Sequence, residues 1–440
     1  MHLLILLTSL LAFYLAWNLG ANDVANSMGT SVGSKAVTLR QALVIAGILE
    51  FAGAVLFGRG VSTTLATKLV NPAFFATTPV VLVVGMVAVL LACGIWLNIA
   101  TIKGLPVSSS HAVVGAIAGF ACVAIGPQAV DWRFIGIISL SWLVTPLVSG
   151  AIAALFYSQI KRWILDQPDA IAQLREWIPW LSAALLSSFG MIVLPALVEK
   201  PVFAALPLPL HTVSLTIGAI AVIGLTLVSW QHLELITAET QRLRAIEADP
   251  AFPPSVLIPG SSALASHSSP VEFLLARFQL LSACFVAFAH GSNDVGNAVA
   301  PLATIAYIRR TGGVPLESFE VPLWVLVLGG IGIVAGLAVW GKKVIVTIGE
   351  GIIPLQPSGG FCAELATATT VLLASRLGLP VSTSHALVGG VVGIGLVQTT
   401  SAIRLQTLGS IGLAWVVTVP LAAALGAAFF SLSRWLLPLQ

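Results

Sequence analysis

The chain has 440 residues, of which 58% are hydrophobic and only 8% are charged, and its formal net charge is +3 at pH 7. Soluble globular domains carry roughly 25% charged residues, so this composition excludes a soluble protein. The small net charge does not indicate a nucleic-acid partner. With a mean hydropathy of +1.01, the chain is predicted to be an all-α polytopic membrane protein embedded in a lipid bilayer.

Apolar runs long enough to cross a bilayer as a helix recur along the chain. The first run has no basic segment before it, so it is expected to be a retained span and not a signal peptide. Residues 161–179 predict either an amphipathic interfacial stretch or a plain connecting loop, and the polar residues 231–270 predict a linker loop. About 12 membrane segments are predicted, near residues 3–19, 41–57, 80–102, 108–125, 134–160, 181–198, 210–230, 273–290, 322–341, 359–376, 383–398 and 407–437.

Two motifs each occur twice, in the same order and at nearly the same spacing. NDVAN at residues 22–26 recurs as NDVGN at residues 293–297, and GLPVSSSHA at 104–112 recurs as GLPVSTSHA at 378–386. Duplicated transporters show such internal similarity and place one binding site between their halves. We therefore expect a first repeat in residues 1–160, connecting spans and a linker in residues 161–270, and a second repeat in residues 271–440.

The first motif carries acidic and amide side chains inside apolar runs, where ionisable groups mark ion or substrate pathways by default. In each copy an aspartate lies three residues before an asparagine, so their oxygen atoms converge on one face of a helix. Such oxygen-rich clusters suit hard cations such as sodium. Alternatively, these side chains cap a broken helix beside Gly20 or Gly291. The candidate sodium ligands are Asn22, Asp23, Asn26, Asn293, Asp294, Asn297 and the intramembrane Glu364.

The second motif predicts a helix break followed by a new helix start, because Gly and Pro interrupt the preceding span and the serines supply N-cap hydroxyls. A half-helix that begins at membrane depth directs its free N–H groups at an anion. Neither copy contains Arg, so an oxyanion would be held by N–H groups, hydroxyls and a co-bound cation. Alternatively, the motif is a plain Gly-Pro kink with serines bonded back to carbonyls. The candidate residues are Ser108, Ser109, Ser110, Ser382, Thr383 and Ser384.

Histidines follow the serines in both copies, which raises the possibility of an intramembrane hydrolase using Ser110 with His111. Adjacent residues in one helix turn give poor geometry for a nucleophile and its base, and a hydrolase needs no second equivalent pair. The pair is therefore expected to pack helices, and no enzyme activity is predicted. His290 has no equivalent in the first copy, where Leu19 stands; it either tunes the pocket or only packs.

The segments at residues 20–42 and 290–302 resemble the signature of the inorganic phosphate transporter (PiT) family in its sodium-coupled branch. The resemblance implies inverted repeats with discontinuous helices or re-entrant hairpins, a homodimer, and a multi-pass protein of the plasma (inner) membrane. It implies that phosphate is bound by the hairpin hydroxyls together with Asp23, Asn26, Asp294 and Asn297. It also implies that transport requires two glutamates, Glu50 and Glu364.

The expected function is a sodium-coupled inorganic phosphate symporter that imports its substrate by alternating access, with sodium as the co-transported cation and no other cofactor. The family also contains proton-coupled members and sulfate carriers, so a proton-coupled phosphate or sulfate permease of the same fold is the alternative. A channel is less favoured, because buried acids occur in both halves.

Overall fold

The computed structural model describes residues 2–198, 210–247, 269–317, 319–349 and 352–436. Over these ranges the chain is almost entirely helical, with a single isolated β-bridge between Val70 and Val130. Its thirteen α-helices are α1 (His2–Gly33), α2 (Leu39–Phe57), α3 (Arg59–Thr67), α4 (Pro79–Ile102), α5 (Ser109–Ala124), α6 (Trp132–Ile160), α7 (Ala170–Val198), α8 (Leu210–Glu247), α9 (Pro270–Thr311), α10 (Leu323–Gly349), α11 (Pro357–Arg376), α12 (Thr383–Gln398) and α13 (Leu405–Leu436).

The all-helical membrane architecture is confirmed. Among the described residues, nine helices are long and apolar enough to cross a bilayer, and α5 and α12 are shorter apolar helices. Each predicted apolar span coincides with a helix, whereas α3 was not predicted. The inversion of the repeats and the count of 12 membrane segments stay predictions.

The helices that carry the Asn/Asp motif are longer than their apolar runs indicate. The sequence predicts that these runs end at the motif, but α1 and α9 continue through it. Polar side chains do not end these helices because they find partners inside the protein; Ser27, for example, donates to the Val24 carbonyl at 3.1 Å. The motif therefore lies in the middle of two continuous helices, and its side chains do not cap a broken helix.

One connecting region differs from the prediction, and the other, residues 161–179, is largely helical, which agrees with the amphipathic alternative and not with a plain loop. The predicted linker at residues 231–270 is helical as far as Glu247, because α8 continues through a stretch rich in Glu, Leu, Gln, Arg and Ala, which favour helix. Residues 248–268 of that predicted linker lie outside the described residues. At residues 161–179, a π-helical turn (Lys161–Leu165) leads into α7, which begins at Ala170.

The two repeats interlock. The helix α1 packs mainly on α10, α9 on α2, the short helix α5 on α13, and the short helix α12 on α6. Glycines spaced four residues apart permit two of these contacts. Gly115 and Gly119 of α5 lie directly against the backbone of α13, and Gly389 and Gly393 of α12 lie against the backbone of α6. Such spacing allows close backbone approach in membrane proteins. The short helices α5 and α12, which we call the hairpin helices, are therefore each held by a helix of the opposite repeat.

The helix break in each repeat has the same local structure. The helix before it ends with a glycine in the left-handed region, at φ 65° for Gly104 and 67° for Gly378. The two backbone hydrogen bonds of a Schellman motif follow in both, the second from Leu105 to the Ala100 carbonyl and from Leu379 to the Ala374 carbonyl, each at 2.9 Å. We call residues 103–108 the first break and residues 377–382 the second break. The predicted pattern of a break followed by a new helix is confirmed in both.

Candidate functional site

The two short helices that follow the breaks begin beside each other in the interior. The rings of His111 and His385, in the first turns of α5 and α12, have centroids 4.7 Å apart. The Ser110 hydroxyl of α5 donates to the carbonyl of Val381 in the second break at 3.1 Å. Two helix N-termini, each with free N–H groups and a partial positive charge, therefore converge on one region.

The Asn/Asp motif of the second repeat reaches the hairpin of the first. The amide of Asn297 donates to the hydroxyls of Ser109 and Ser110, each at 3.3 Å, and to Asp294 Oδ1 at 3.3 Å. All four side chains are buried. The long helix α9 thus brings a carboxylate and an amide to the start of α5.

The motif of the first repeat makes the reciprocal contact. Asn26 donates to Asp23 Oδ1 at 3.2 Å and lies 3.5 Å from the hydroxyl of Thr383, at the start of α12. Thr383 in turn donates to Asp294 Oδ2 at 3.1 Å, which joins the two halves. We call the resulting set the central cluster: Asp23, Asn26, Ser109, Ser110, Asp294, Asn297 and Thr383. All seven were predicted as site residues, and the structure brings them together.

Two buried oxygen atoms of the central cluster, Asp23 Oδ2 and Asn297 Oδ1, have no hydrogen-bond partner among the described residues. Buried polar groups are normally satisfied, so each exception requires an explanation. One ligand atom from each of Asp23, His290 and Asp294 lies within 4.8 Å of the other two. The two carboxylates of this set supply oxygen ligands that fit a bound cation, and the adjacent hydroxyls and N–H groups fit an oxyanion.

His290 lies between two buried carboxylates. Its Nε2 is 2.9 Å from Asp294 Oδ2, and its Nδ1 is 3.2 Å from Glu50 Oε1. Glu50 also accepts a hydrogen bond from Ser27 at 2.9 Å. Glu50, predicted only as a residue needed for transport, is therefore linked to the central cluster through His290. The sequence signal that could have found this link is that both residues stand alone in their repeats. Leu19 occupies the place of His290, and Ile333, which lies against Gly20 as Glu50 lies against Gly291, occupies that of Glu50.

Two predicted sodium ligands, Asn22 and Asn293, direct their amides at the helix breaks. Asn22 donates to Thr101 at 3.0 Å and to the Leu105 carbonyl at 3.3 Å. Asn293 makes the equivalent bonds to Ser375 and the Leu379 carbonyl, at 3.0 and 3.1 Å. These amides therefore tie α1 and α9 to the breaks, while both Oδ1 atoms stay buried without a partner.

The remaining hairpin hydroxyls have local roles. Ser108 and Ser382 are N-caps, and their hydroxyls accept from the backbone N–H of His111 and His385. Ser384 lies 2.9 Å from the Ser382 hydroxyl and, with Asn26, lines a cavity of about 120 Å³ beside the first break. These three residues thus shape the helix starts that frame the central cluster.

Glu364 belongs to a separate polar cluster. Its Oε1 accepts from Thr30 and Ser31, both at 2.6 Å, and from Gln279 at 3.1 Å, while its Oε2 accepts from Ser282 at 2.8 Å. We call these five residues the Glu364 cluster. Its members come from α1, α9 and α11, and the structure shows no hydrogen bond between Glu364 and the central cluster. Sequence reasoning identified only the glutamate; the signal for the others was polar residues within apolar helices, the adjacent Thr30 and Ser31 on α1 and the pair Gln279 and Ser282, three residues apart on α9.

Comparison with known proteins agrees with this geometry. The model of the phosphate transporter family matches residues 19–426. A protein of Chlamydia trachomatis named "putative phosphate permease" is 40% identical over 91% of this chain and 92% of its own length. The inorganic phosphate transporter 2-1 of Arabidopsis thaliana chloroplasts is 37% identical over 95% of this chain and 70% of its own.

A solved structure described as "the sodium-dependent phosphate transporter" is similar to this chain throughout. The match has a TM-score of 0.83 and 35% sequence identity, and it covers 99% of this chain and 100% of the other. The agreement therefore extends from the sequence motifs to the arrangement of the helices around them. This chain belongs to the phosphate transporter family and is a multi-pass membrane protein.

Proposed function

We propose that this protein is a sodium-coupled inorganic phosphate symporter that imports phosphate by alternating access. The observation that carries the proposal is the central cluster, where two helix N-termini with three hydroxyls meet two Asp/Asn pairs. N–H groups and hydroxyls form hydrogen bonds to anion oxygens, and carboxylate oxygens bind sodium. One small site can therefore take an oxyanion and a hard cation together.

The charges of the site explain why a cation has to bind with the phosphate. Neither motif contains an arginine or a lysine, while Asp23 and Asp294 both lie beside the helix starts. An anion approaching two ionised carboxylates is repelled, and the repulsion is strong away from water. Sodium bound at Asp23 and Asp294 offsets this repulsion, so sodium binds first and raises the affinity for phosphate. The two substrates then cross together.

The same carboxylates give a basis for selecting phosphate over sulfate. Phosphate near pH 7 keeps at least one proton that it can donate to Asp23 or Asp294, whereas sulfate has none. Sulfate would therefore leave a carboxylate facing its oxygen atoms without a hydrogen bond. Rejection by an unpaired buried polar group is an effective means of discrimination.

The Glu364 cluster is proposed as a further sodium-binding position. It combines a carboxylate with three hydroxyls and a side-chain amide, all buried. Each hydroxyl oxygen keeps lone pairs while it donates to Glu364, so the same residues can turn these oxygens to a sodium ion. Because α1 carries Asn26 and also Thr30 and Ser31, this position is connected to the central cluster by a single helix.

A proton-coupled phosphate permease is the second candidate, and the placement of His290 favours it. A histidine held between Glu50 and Asp294 is a group that can take up and release a proton during a transport cycle. Under this alternative, His290→Gln would abolish uptake driven by a proton gradient. Under sodium coupling, the same variant keeps a sodium-driven component.

The two candidates are separated by uptake of labelled phosphate into proteoliposomes. We expect an inward sodium gradient to drive accumulation, a proton gradient alone to give less than a tenth of it, and excess unlabelled sulfate to leave it unchanged. Uptake driven only by the proton gradient would identify the second candidate. Displacement of phosphate by sulfate would show that the selectivity account is wrong.

The proposal includes a plasma-membrane location and a homodimer, both from the resemblance to the family. It also includes the division into a repeat at residues 1–160, connecting spans and a linker at 161–270, and a repeat at 271–440, with the repeats inverted in the membrane. The matched contacts of Asn22 and Asn293 with their breaks support two equivalent units. Cysteine labelling of Lys103 and Leu377, which occupy equivalent places, from opposite sides of the membrane would test the inversion.

A further inference from the structure

The two hairpins are equivalent in sequence, and two tryptophans flank them symmetrically. Trp142 and Trp415 each begin a Trp-x-Val-Thr sequence in the helix that holds the opposite hairpin. The ring centroids of His111 and Trp142 lie 3.8 Å apart, and those of His385 and Trp415 lie 3.6 Å apart. Each histidine Nδ1 also contacts the backbone carbonyl of the other repeat's tryptophan, at 3.3 and 3.0 Å. The four rings thus form a nearly symmetric cluster.

The indole N–H groups break this symmetry. Trp142 Nε1 donates to the carbonyl of Pro380, in the second break, at 3.1 Å. By the same symmetry Trp415 Nε1 would donate to Pro106 in the first break, but this nitrogen is buried and has no hydrogen-bond partner in the described part of the chain. A buried donor without a partner is costly. Both indoles pack against their histidines at nearly the same distance and angle. The difference in hydrogen bonding between Trp142 and Trp415 therefore arises at the breaks and not at the rings.

The two breaks also differ in burial: the second break, which accepts the Trp142 hydrogen bond, is more buried than the first. Gly378 and Pro380 are buried, and a Cβ atom on Gly378 would lie 2.9 Å from the Thr64 hydroxyl of α3. Gly104 and Pro106 are half-buried, and among the described residues a Cβ atom on Gly104 would meet nothing within 4 Å. The second break is therefore covered by α3, and the first break is the less buried of the two.

A cavity beside the first break extends to the central cluster. The cavity of about 120 Å³ is lined by Gly104 and Pro106 of the first break, by Asn26 and Ser384, and by Ile411, one turn before Trp415. The cavity thus connects the first break, where the Trp415–Pro106 hydrogen bond is not formed, with Asn26 and Ser384 of the proposed substrate site.

We propose that Trp142 and Trp415 are gating residues, and that their N–H groups bond alternately to Pro380 and Pro106 as the site opens to one side of the membrane and then to the other. In the state described here the Trp142–Pro380 bond closes the second break. In the opposite state Trp415 donates to Pro106, the first break closes, and Trp142 is released. This inference rests on the proposed transport function, because only an alternating-access cycle requires two such states.

The gate works because one hydrogen bond is always exchanged for its equivalent. The free energy lost when the Trp142 hydrogen bond breaks is about equal to the free energy gained when the Trp415 hydrogen bond forms. The two states therefore stay close in free energy. A transporter needs this balance, since a strongly favoured state would stop the cycle. Removing one N–H group should therefore shift the population of the two states without destroying the site.

The test is thiol accessibility, which requires no substrate and is independent of which ion is coupled. Val388 lines the cavity and is half-buried, whereas its equivalent Val114 is buried. Val388→Cys and Val114→Cys are each introduced into a protein in which the four native cysteines are replaced by alanine. The purified proteins in nanodiscs, accessible from both sides, are reacted with 2-aminoethyl methanethiosulfonate. The native cysteines are Cys93, Cys122, Cys284 and Cys362.

We expect the Val388→Cys protein to react and the Val114→Cys protein to be protected. Adding Trp142→Phe, which keeps a ring but removes the N–H, should raise the Val114→Cys rate by about 2-fold to 10-fold and lower that of Val388→Cys, from the net contribution of one hydrogen bond. Adding Trp415→Phe should leave Val114→Cys protected, because this donor has no partner in the present state.

Equal effects of the two substitutions on both cysteines, or a Val114→Cys rate unchanged by Trp142→Phe, would overturn the proposal. Where Trp142→Phe does not yield a monodisperse protein, benzothienylalanine at residue 142 replaces it, since it has the shape of indole and lacks the donor. A protein that accumulates no phosphate under any gradient, yet shows this exchange of reactivity, would refute the proposed function and leave the gate intact.

Discussion

The central cluster and the Glu364 cluster are both buried networks of carboxylates and hydroxyls, but they differ in symmetry. In the central cluster Asp23 has its equivalent in Asp294, Asn26 in Asn297 and Ser109 in Thr383, and the equivalents make reciprocal contacts across the repeats. The Glu364 cluster has no such counterpart. Leucines stand in the other repeat where it has Glu364, Ser31 and Ser282, namely Leu90, Leu302 and Leu11.

The difference indicates two kinds of task. Residues present in both repeats build a site that presents similar groups to a substrate from two sides, as alternating access requires. Residues present in one repeat make the two halves unequal. We assign the shared residues to phosphate and to the sodium ion bound beside it, and the unshared Glu364 to a further sodium ion. The following changes are designed to break or sharpen this division.

The largest effect is expected from Asp23→Asn. The amide keeps the size of the side chain but removes a charge that a sodium ion needs, so sodium-driven phosphate uptake should fall at least 50-fold, on the order of 2 kcal/mol or more in transition-state terms. Uptake into proteoliposomes measures it. The control is Asp131→Asn, an exposed N-cap of α6 whose capping bond an asparagine can also make. Uptake retained within twofold in Asp23→Asn would remove this residue from the site.

A more selective effect is expected from Glu364→Gln. Glutamine keeps the shape but not the charge, so the sodium concentration for half-maximal uptake should rise about tenfold, a range typical for hydrogen bonds and ion contacts to charged groups. Phosphate binding at saturating sodium should change less than twofold. The matched control is Glu272→Gln, another buried carboxylate on α9, which bonds Ser358 and lies outside both clusters. Equal loss of phosphate and sodium affinity in Glu364→Gln would contradict the division.

A smaller and symmetric effect is expected from Ser109→Ala and Thr383→Ala. Each removes one hydroxyl from an equivalent helix start, so each should raise the phosphate KM by a similar factor of about 5 to 10, the range of one hydrogen bond to a charged group. Sodium dependence should not change. Initial rates of uptake over a phosphate series measure both. A tenfold effect from one variant and none from the other would show that the two helix starts do not share the substrate.

The smallest effect concerns the breaks themselves. Alanine at Gly104 or Gly378 costs about 1 kcal/mol, because both glycines have positive φ. Gly378→Ala adds a clash with Thr64, whereas the new methyl group of Gly104→Ala meets none of the described residues. Thermal unfolding in detergent should therefore show a lower Tm for Gly378→Ala than for Gly104→Ala, by a few degrees. The same Tm for both would mean that the two breaks are equally enclosed.

The local structure of the hairpins could be predicted from the sequence because short-range chemistry determines it. A glycine, a proline and a serine at fixed spacing specify a left-handed C-cap, an interruption and an N-cap, and Gly104 and Ser108 take these roles. The internal repetition likewise predicts, without knowledge of any contact, that Asp23 and Asp294 lie at one site.

The partners of the isolated residues could not be predicted in this way. His290 contacts Glu50, and Glu364 contacts Ser31, because helices of opposite repeats pack together, and no local pattern records that pairing. The continuation of α1 past Asn22 was missed for a related reason. Hydropathy falls where polar side chains begin, yet inside a protein those side chains are satisfied by neighbouring helices, so the helix continues.

The most direct test of the central claim is equilibrium binding of labelled phosphate to the purified protein, with and without sodium, for the wild type and Asp23→Asn. We predict that saturating sodium lowers the phosphate Kd of the wild type at least tenfold, and that Asp23→Asn loses this dependence. Sodium-independent binding by the wild type, or full sodium dependence in Asp23→Asn, would contradict the account.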